Sequence, residues 1–469
     1  MYPTIDNVRP TSVRNEIKTP DLLNKQRSRT INYLMLGFIG ALAVFVPIYP
    51  AMLIVVALVA GLYFLIFPVS FLWALMLFHL VLYVPHIGPF LDEYRVHIGA
   101  VSVHLNDFFF LGLFVLVAFG ALVSREKRQV IWHPIGRWVT LFLFYTVLQM
   151  GVAFLRKVPP DSIIREGSGY LSCAFFLFVI MYLGTKDISR VMKFGYRIWL
   201  LVPMIQVYML AAGLTWQTDT GSVRTYFIGP NIFFLAVITY KLLADDFNLR
   251  NALVIVYMLC GMAMTQYRSA FVALMALILI AGHYYLKEAD IKKAFFYPFS
   301  VGIFGFILLL GLIAAKPQYM QKTYDRYLAS YKSSATVEAR VSMWNAGIKT
   351  FKNNPFIGIG IGNPIFSDVN DKFSNEWNPH NFAVRLLAKT GLIGLILALV
   401  LMAAFYKHIL LFEVKDVHQE RVRKFGIGFF ITLLIVHLMN TTFVAERTAF
   451  VTWLFMGMVM VQLRSEETR

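Results

Sequence analysis

The sequence predicts an all-α, polytopic transmembrane helical bundle of about fourteen spans with one large, partly helical outer loop. Three observations carry that prediction. Of 469 residues, 58% are hydrophobic and only 15% charged, against about 45–50% and about 25% in a soluble globular chain. The apolar residues gather in blocks of about 17–23, the length that crosses a hydrocarbon core about 30 Å thick. Short loops rich in Lys and Arg recur on alternate sides of those blocks, as the positive-inside rule requires.

Taken in order, the polar segment 1–30 carries Arg9, Arg14, Lys18, Lys25, Arg27 and Arg29. It lacks the pattern of a cleavable signal, so the first apolar block reads as a retained span. Blocks 31–47, 50–67, 69–85, 106–124, 135–154, 168–184, 195–214, 226–244, 251–266, 269–286 and 295–315 make a first membrane region over 31–315. Pro47, Pro50 and Pro68 mark the turns among the first three, because proline breaks a helix. The long polar segment 316–389 comes next. Blocks 390–407, 425–441 and 447–463 form a second membrane region over 390–463, and 464–469 is a short tail. With the N-terminus inside, the basic loops at Arg125–Arg128, Lys186–Lys193, Lys287–Lys293 and Lys407–Lys424 all fall inside. Both termini are then cytoplasmic and 316–389 is outside.

The net charge of +17 is what basic cytoplasmic loops produce, and no nucleic-acid partner is needed to explain it. Cys173 and Cys260 sit in different apolar blocks and offer neither a disulfide framework nor zinc spacing. No inverted repeat of the secondary-transporter kind is visible.

Chemistry concentrates in the long outer segment. Val337 to Phe351 places Val341, Trp344, Ile348 and Phe351 at helical spacing. Asn353-Asn354-Pro355 stops that helix, and Gly358, Gly360, Gly362 and Gly391 are expected to loosen the chain beyond it. Lys316, Lys322, Arg326, Lys332, Arg340, Lys349, Lys352, Lys372, Arg385 and Lys389 outnumber Asp325, Glu338, Asp368, Asp371 and Glu376. Either a long loop has crossed regardless of charge, or this one handles an anionic group such as a phosphate. Arg224 and Arg268 stand at the starts of two spans, where snorkelling to the interface competes with binding an anion. His380, in Asn378-Pro379-His380-Asn381, is able to take a proton from a hydroxyl near neutral pH. His86, His97 and His104, on another outer loop, have the spacing of neither a helical nor a tetrahedral metal motif and read as structural.

Several ordered elements then line up. They are Gly221-Ser222-x-Arg224 with Gly229-Pro230-Asn231, Arg268-Ser269-Ala270, Arg340-x-x-x-Trp344, Asn354-Pro355-Phe356-Ile357-Gly358-Ile359-Gly360, Asn378-Pro379-His380-Asn381, and Lys389-Thr390-Gly391-Leu392-Ile393-Gly394. Together, over roughly residues 220–400, they resemble the O-antigen ligase and polymerase superfamily of bacteria; Asn106-Asp107 and hydropathy extend the likeness into the first half. The resemblance implies a membrane-embedded glycosyltransferase of GT-C type in the inner membrane, independent of metal and cofactor, with a periplasmic active site. It implies an undecaprenyl-pyrophosphate-linked oligosaccharide as donor and a carbohydrate or lipid-linked acceptor. Its further implied partners are membrane lipids and a chain-length regulator. Polymerases join carrier-linked repeat units, and ligases pass the glycan to lipid A–core. His380, Arg268 and Arg340 are the expected catalytic residues; Arg224, Asn231, Trp344, Asn378 and Asn381 are the expected substrate-binding ones, with no metal ligand. Lys389 departs from the pattern, since many members carry an acidic residue there.

The residues make chemical sense of this. Breaking a sugar–pyrophosphate bond leaves an anion, which fixed guanidinium groups stabilise as a metal would. The long loop has no Asp-x-Asp pair to hold a metal. Two rival readings remain at this level. One is a transporter or lipid-linked sugar flippase, with Gly229-Pro230 as a broken helix. The other is a metal-dependent transferase of the oligosaccharyltransferase kind, with Asp92-Glu93 as its acidic pair.

Overall fold

A computed structural model describes residues 67–81, 95–98, 101–212, 216–217, 223–224, 229–245, 248–265, 268–287, 321, 335–365, 379–439 and 446–464. The chain divides into two compact units, Met1–Ala74 and Leu75–Arg469, and the second holds nearly all the described residues. The described elements are overwhelmingly helical. In order they are α1 (Pro68–Val81), α2 (Leu105–Val123), α3 (Arg125–Ile131), α4 (Pro134–Leu155), α5 (Pro160–Leu171), α6 (Ala174–Tyr182), α7 (Thr185–Trp199) and α8 (Leu201–Ala211). Then come α9 (Gly229–Leu243), α10 (Leu249–Thr265), α11 (Arg268–Lys287), α12 (Ala335–Asn353), α13 (Phe382–Leu410), α14 (Val417–Met439) and α15 (Glu446–Leu463). Two small antiparallel hairpins interrupt them: β1 (Arg95–Ile98) with β2 (Val101–His104), and β3 (Trp216–Gln217) with β4 (Val223–Arg224). His97 and His104 lie on the first hairpin, where sequence reading expected a loop. His86, the Asp92-Glu93 pair and blocks 31–47, 50–67 and 295–315 lie outside the described residues.

Among the described residues, four helices are long and apolar enough to cross a membrane: Pro134–Leu155, Ser269–Lys287, Phe382–Leu410 and Val417–Met439. The predicted single span 168–184 is instead a bent pair, α5 and α6, turned by 47° at a short break. The predicted span 195–214 is also divided. Its first residues belong to amphipathic α7, which buries Ile188, Val191, Ile198 and Trp199 and exposes Lys186, Arg190, Lys193 and Arg197. The apolar α8 begins only at Leu201. The hydropathy window had averaged the two.

The core lies where α6 meets α15. Every residue of α6 from Ala174 to Met181 is buried, as befits a helix apolar on all sides. Phe175 and Phe450 have ring centroids 5.5 Å apart. Gly457 permits the close approach, since a Cβ there would stand 2.8 Å from Val179 Cβ; small residues serve this purpose in membrane bundles.

The loops sort into two sets. Arg156 bonds to Ile359, Glu166 to Gly362, and Asn381 to Leu438. Elsewhere His133 meets His408, and Gln462 reaches both Thr185 and His418. The first set gathers the end of α4, the start of α13 and the end of α14, and the second gathers the opposite ends of the same three helices.

One helix is broken for a visible reason. At Gly391, inside α13, φ is 67° and ψ is −165°. Such a break frees carbonyls before it and N–H groups after it. The segment that follows α12 takes up both. Ile359 N and Gly360 N donate to Ala388 O and Lys389 O at 3.0 and 2.9 Å, and Tyr145 OH donates to Thr390 O at 2.6 Å. Leu392 N and Ile393 N donate to Pro355 O and Phe356 O at 2.8 and 3.3 Å. Gly358, Gly360 and Gly362 all have positive φ. They therefore shape a tight seat for the break, which corrects the expectation that they loosen the chain.

Replacing Gly391 with Ala should destabilise strongly. Its Cβ would meet Phe356 O at 2.2 Å, at a φ that L side chains resist. The left-handed conformation alone costs about 1–3 kcal/mol. Gly151→Ala in α4, with nothing within 4 Å of its Cβ, should be neutral or stabilise by up to about 1 kcal/mol. Thermal melting of the two purified variants checks the contrast; equal melting temperatures would show that the seat at Gly391 is not tight.

Candidate functional site

His380 sits at the junction of two packed helices. The helical spacing from Val337 to Phe351 produces α12, and Asn354-Pro355 turns the chain after it, as the sequence predicts. This helix lies against the first half of α13 closely enough that a Cβ on Gly347 would stand 2.5 Å from Val384 Cγ1. Trp344, from α12, donates its indole N–H to Pro379 O at 2.7 Å. Asn381 caps α13: its Oδ1 accepts from Val384 N at 3.1 Å, while Nδ2 donates to Leu438 O at 2.9 Å. Between these two anchors His380 adopts a left-handed backbone, φ 46°. That conformation is uncommon for a residue with a side chain and points to a constrained position. Burial lowers the pKa of His380 below the usual histidine value, and the guanidinium groups of Arg340 and Arg385 push it the same way. Both effects favour the neutral imidazole, the form able to accept a proton.

Immediately beside this lies a buried ionic cluster built on Glu166. Pro160 at the first position of α5 starts the helix that carries it. Arg385 Nη2 and Nε donate to Glu166 Oε1 at 3.0 and 3.3 Å. Lys389 Nζ and Gly362 N donate to Oε2 at 2.7 and 2.5 Å. Lys389 also donates to Asn363 O. The side chains of Arg385, Lys389 and Glu166 are only 15%, 8% and 11% exposed. A single carboxylate thus ties α5, the glycine segment and the first half of α13 together, close to His380.

The predicted site residues fall on several elements. Arg340 lies near enough to His380 for its charge to act on the imidazole, and Trp344 fixes the segment beside them. Asn381 uses its side chain in the bonds to Val384 N and Leu438 O. Asn231 is buried near the start of α9, and its Oδ1 accepts from Thr265 Oγ1 at 2.9 Å, which ties α9 to the end of α10. Arg268 opens α11 just beyond that point. Lys424 lies 5.6 Å from the Tyr284 ring, and a Cβ on Gly428 would be 3.5 Å from Leu277. These contacts make α11 antiparallel to α14, so Arg268 stands at the end of the bundle where Asn381 meets Leu438. Arg224 closes β4, and Asn378 lies outside the described residues. Among the described residues, no three His, Cys, Asp or Glu side chains group as a metal site.

Sequence reading misses Glu166 and gives Arg385 no individual role. Lys389 stands out there only as a departure, and its partner in α5 is 223 residues away. The one available signal is an acid and a base each out of place beside an apolar block.

The O-antigen ligase family model matches residues 253–400 of the chain. The exopolysaccharide production protein ExoQ of Rhizobium meliloti (strain 1021) is 25% identical over 131 residues. That match takes in 26% of this chain and 30% of ExoQ, so the chain spans under a third of its relative's length. Both comparisons support the resemblance to the O-antigen ligase and polymerase superfamily.

The environment of His380 yields a checkable titration. Acylation by diethyl pyrocarbonate needs neutral imidazole, so modification of the His380 peptide, read by mass spectrometry, should titrate below about 6.5, the ordinary histidine value. In Arg340→Gln one of the opposing cations is gone, and the midpoint should move up. A midpoint unchanged by that substitution would separate Arg340 from His380.

Proposed function

We propose that this chain is a metal-independent, inverting glycosyltransferase of the bacterial inner membrane. It transfers a glycan from an undecaprenyl-pyrophosphate donor to an acceptor hydroxyl on the periplasmic face, as a repeat-unit polymerase in O-antigen or exopolysaccharide synthesis. The observation that carries the reading is the constrained backbone of His380, held between the Trp344 and Asn381 anchors where α13 meets the helix that bears Arg340. Histidine with arginine is the pairing needed to deprotonate a nucleophile while an anion departs. The family match over residues 253–400 covers Arg268, Arg340 and His380 and supports the class.

In the proposed step the acceptor oxygen bonds to the anomeric carbon as that carbon's bond to the diphosphate oxygen breaks. The hydroxyl proton passes to His380, and the lipid diphosphate leaves as an anion held by Arg268 and Arg340, with Arg224 assisting. Direct displacement inverts the anomeric centre. Trp344 and Asn381 set the position of His380, and Asn378 holds the acceptor. With both termini cytoplasmic, the loops gathered around His380 face the periplasm. There a chain-length regulator would have access to the growing polymer.

Transfer to lipid A–core by the same chemistry is the alternative within the class. A different class, transport of lipid-linked sugar, draws on two broken helices, α5–α6 and α13 at Gly391. Joining of lipid-linked sugars by the purified protein in detergent decides against transport.

His380→Ala, expressed and folded as wild type, should lower transfer by about 10²–10⁴-fold, the usual contribution of a positioned base. Normal polymer from that variant would remove His380 from the mechanism. In a deletion strain, a single capped repeat on the core marks a polymerase. Bare core with carrier-linked polymer persisting marks a ligase.

A further inference from the structure

The Glu166 cluster is costly to build, because three charged side chains must leave water. Buried ion pairs seldom outperform apolar packing of the same volume. Ionisable groups inside a membrane bundle mark substrate pathways more often than scaffolding. Arg385 also stands in the first turn of α13, where the helix dipole opposes a cation. Helix stability therefore does not explain it. The nearby buried acid Asp107 meets α5 through Ser168 Oγ, at 2.8 Å. Ser168 is two residues beyond Glu166 and so lies on the other side of α5.

What the cluster does accomplish is to fix a guanidinium. Two nitrogens of Arg385 go to one oxygen of Glu166, and Lys389 and Gly362 hold the other oxygen. Arg385 is thereby fixed within five residues of His380, on the helix that packs against the one bearing Arg340. Two guanidinium groups from adjoining helices suit a ligand with two phosphoryl groups, because each accepts forked N–H donation.

We propose that Arg385 is a diphosphate-holding residue of the donor site, acting with Arg340, and that Glu166 is the positioning residue that presents it. This deepens the transferase reading and rests on it. A guanidinium held before the substrate arrives needs no reorganisation as charge develops on the leaving group.

The test is a binding measurement on the purified full chain in nanodiscs, with no acceptor present. A polyprenyl diphosphate, the matching monophosphate and inorganic pyrophosphate serve as separate probes. Wild type should prefer the diphosphate lipid to the monophosphate. Arg385→Gln should weaken diphosphate binding by about tenfold, the loss expected for one charged hydrogen-bonding partner, and leave the monophosphate nearly unaffected. Glu166→Gln should erode the same preference, and Glu166→Asp should restore part of it. Inorganic pyrophosphate binding as tightly as the lipid assigns the site to free diphosphate; weaker binding assigns it to the carrier; both support the site. Arg385→Gln and Arg385→Lys with unchanged melting temperature and wild-type diphosphate preference would overturn it. If the Gln variant does not fold, Arg385→Lys and Glu166→Asp decide the question by the same preference. Arg385-dependent binding without any glycan transfer by wild type would sink the transferase reading and leave this site standing.

Discussion

Backbone satisfaction at the Gly391 break is the constraint on which the rest of the structure depends. In a bundle surrounded by lipid there is no water to meet freed carbonyl and N–H groups, so a broken helix persists only where protein supplies the partners. Here they come from Ile359, Gly360, Pro355 and Phe356, with Tyr145 adding a hydroxyl from α4. The glycine segment is thus committed to one conformation by the helix it serves. That commitment places α12 against the first half of α13, and the junction of those two helices is where His380 lies.

Electrostatics reinforces the same geometry. Glu166 bridges the glycine segment, through Gly362, to Arg385 and Lys389 on the near side of the break. Removing that carboxylate would strand two largely buried cations, a loss of about 3–5 kcal/mol in comparable cases. The seat and the ionic cluster are therefore not independent. The cluster holds the segment that satisfies the break, and the break orients the half-helix that carries the cluster's cations.

Much of this was legible in the sequence, for physical reasons that differ from element to element. The helix at Val337–Phe351 and its stop at Asn353-Asn354-Pro355 announce themselves through local spacing and a local breaker. The apolar block begins at 390 although α13 starts at Phe382, because Arg385 and Lys389 depress hydropathy over its first half. The same averaging hid the joint between α7 and α8. Glu166 was invisible because its meaning depends on partners 219 and 223 residues away. The glycines were visible and misread, since positive φ serves a tight seat as readily as a loose loop.

The cluster also accounts for a lysine at position 389, inside the bundle. A lysine there would be a buried, uncompensated charge unless another element supplied a carboxylate, and α5 does so at 2.7 Å. The negative charge thus sits on α5, while α13 carries two cations, one of them within five residues of His380. A donor site built on guanidinium groups needs that kind of surplus, because each arginine must be held by an acid that does not occupy its anion-binding role. Anchoring two cations with one carboxylate achieves this with the fewest buried negative charges. On this view the shared carboxylate of Glu166 is part of how the chain keeps the surroundings of His380 positive.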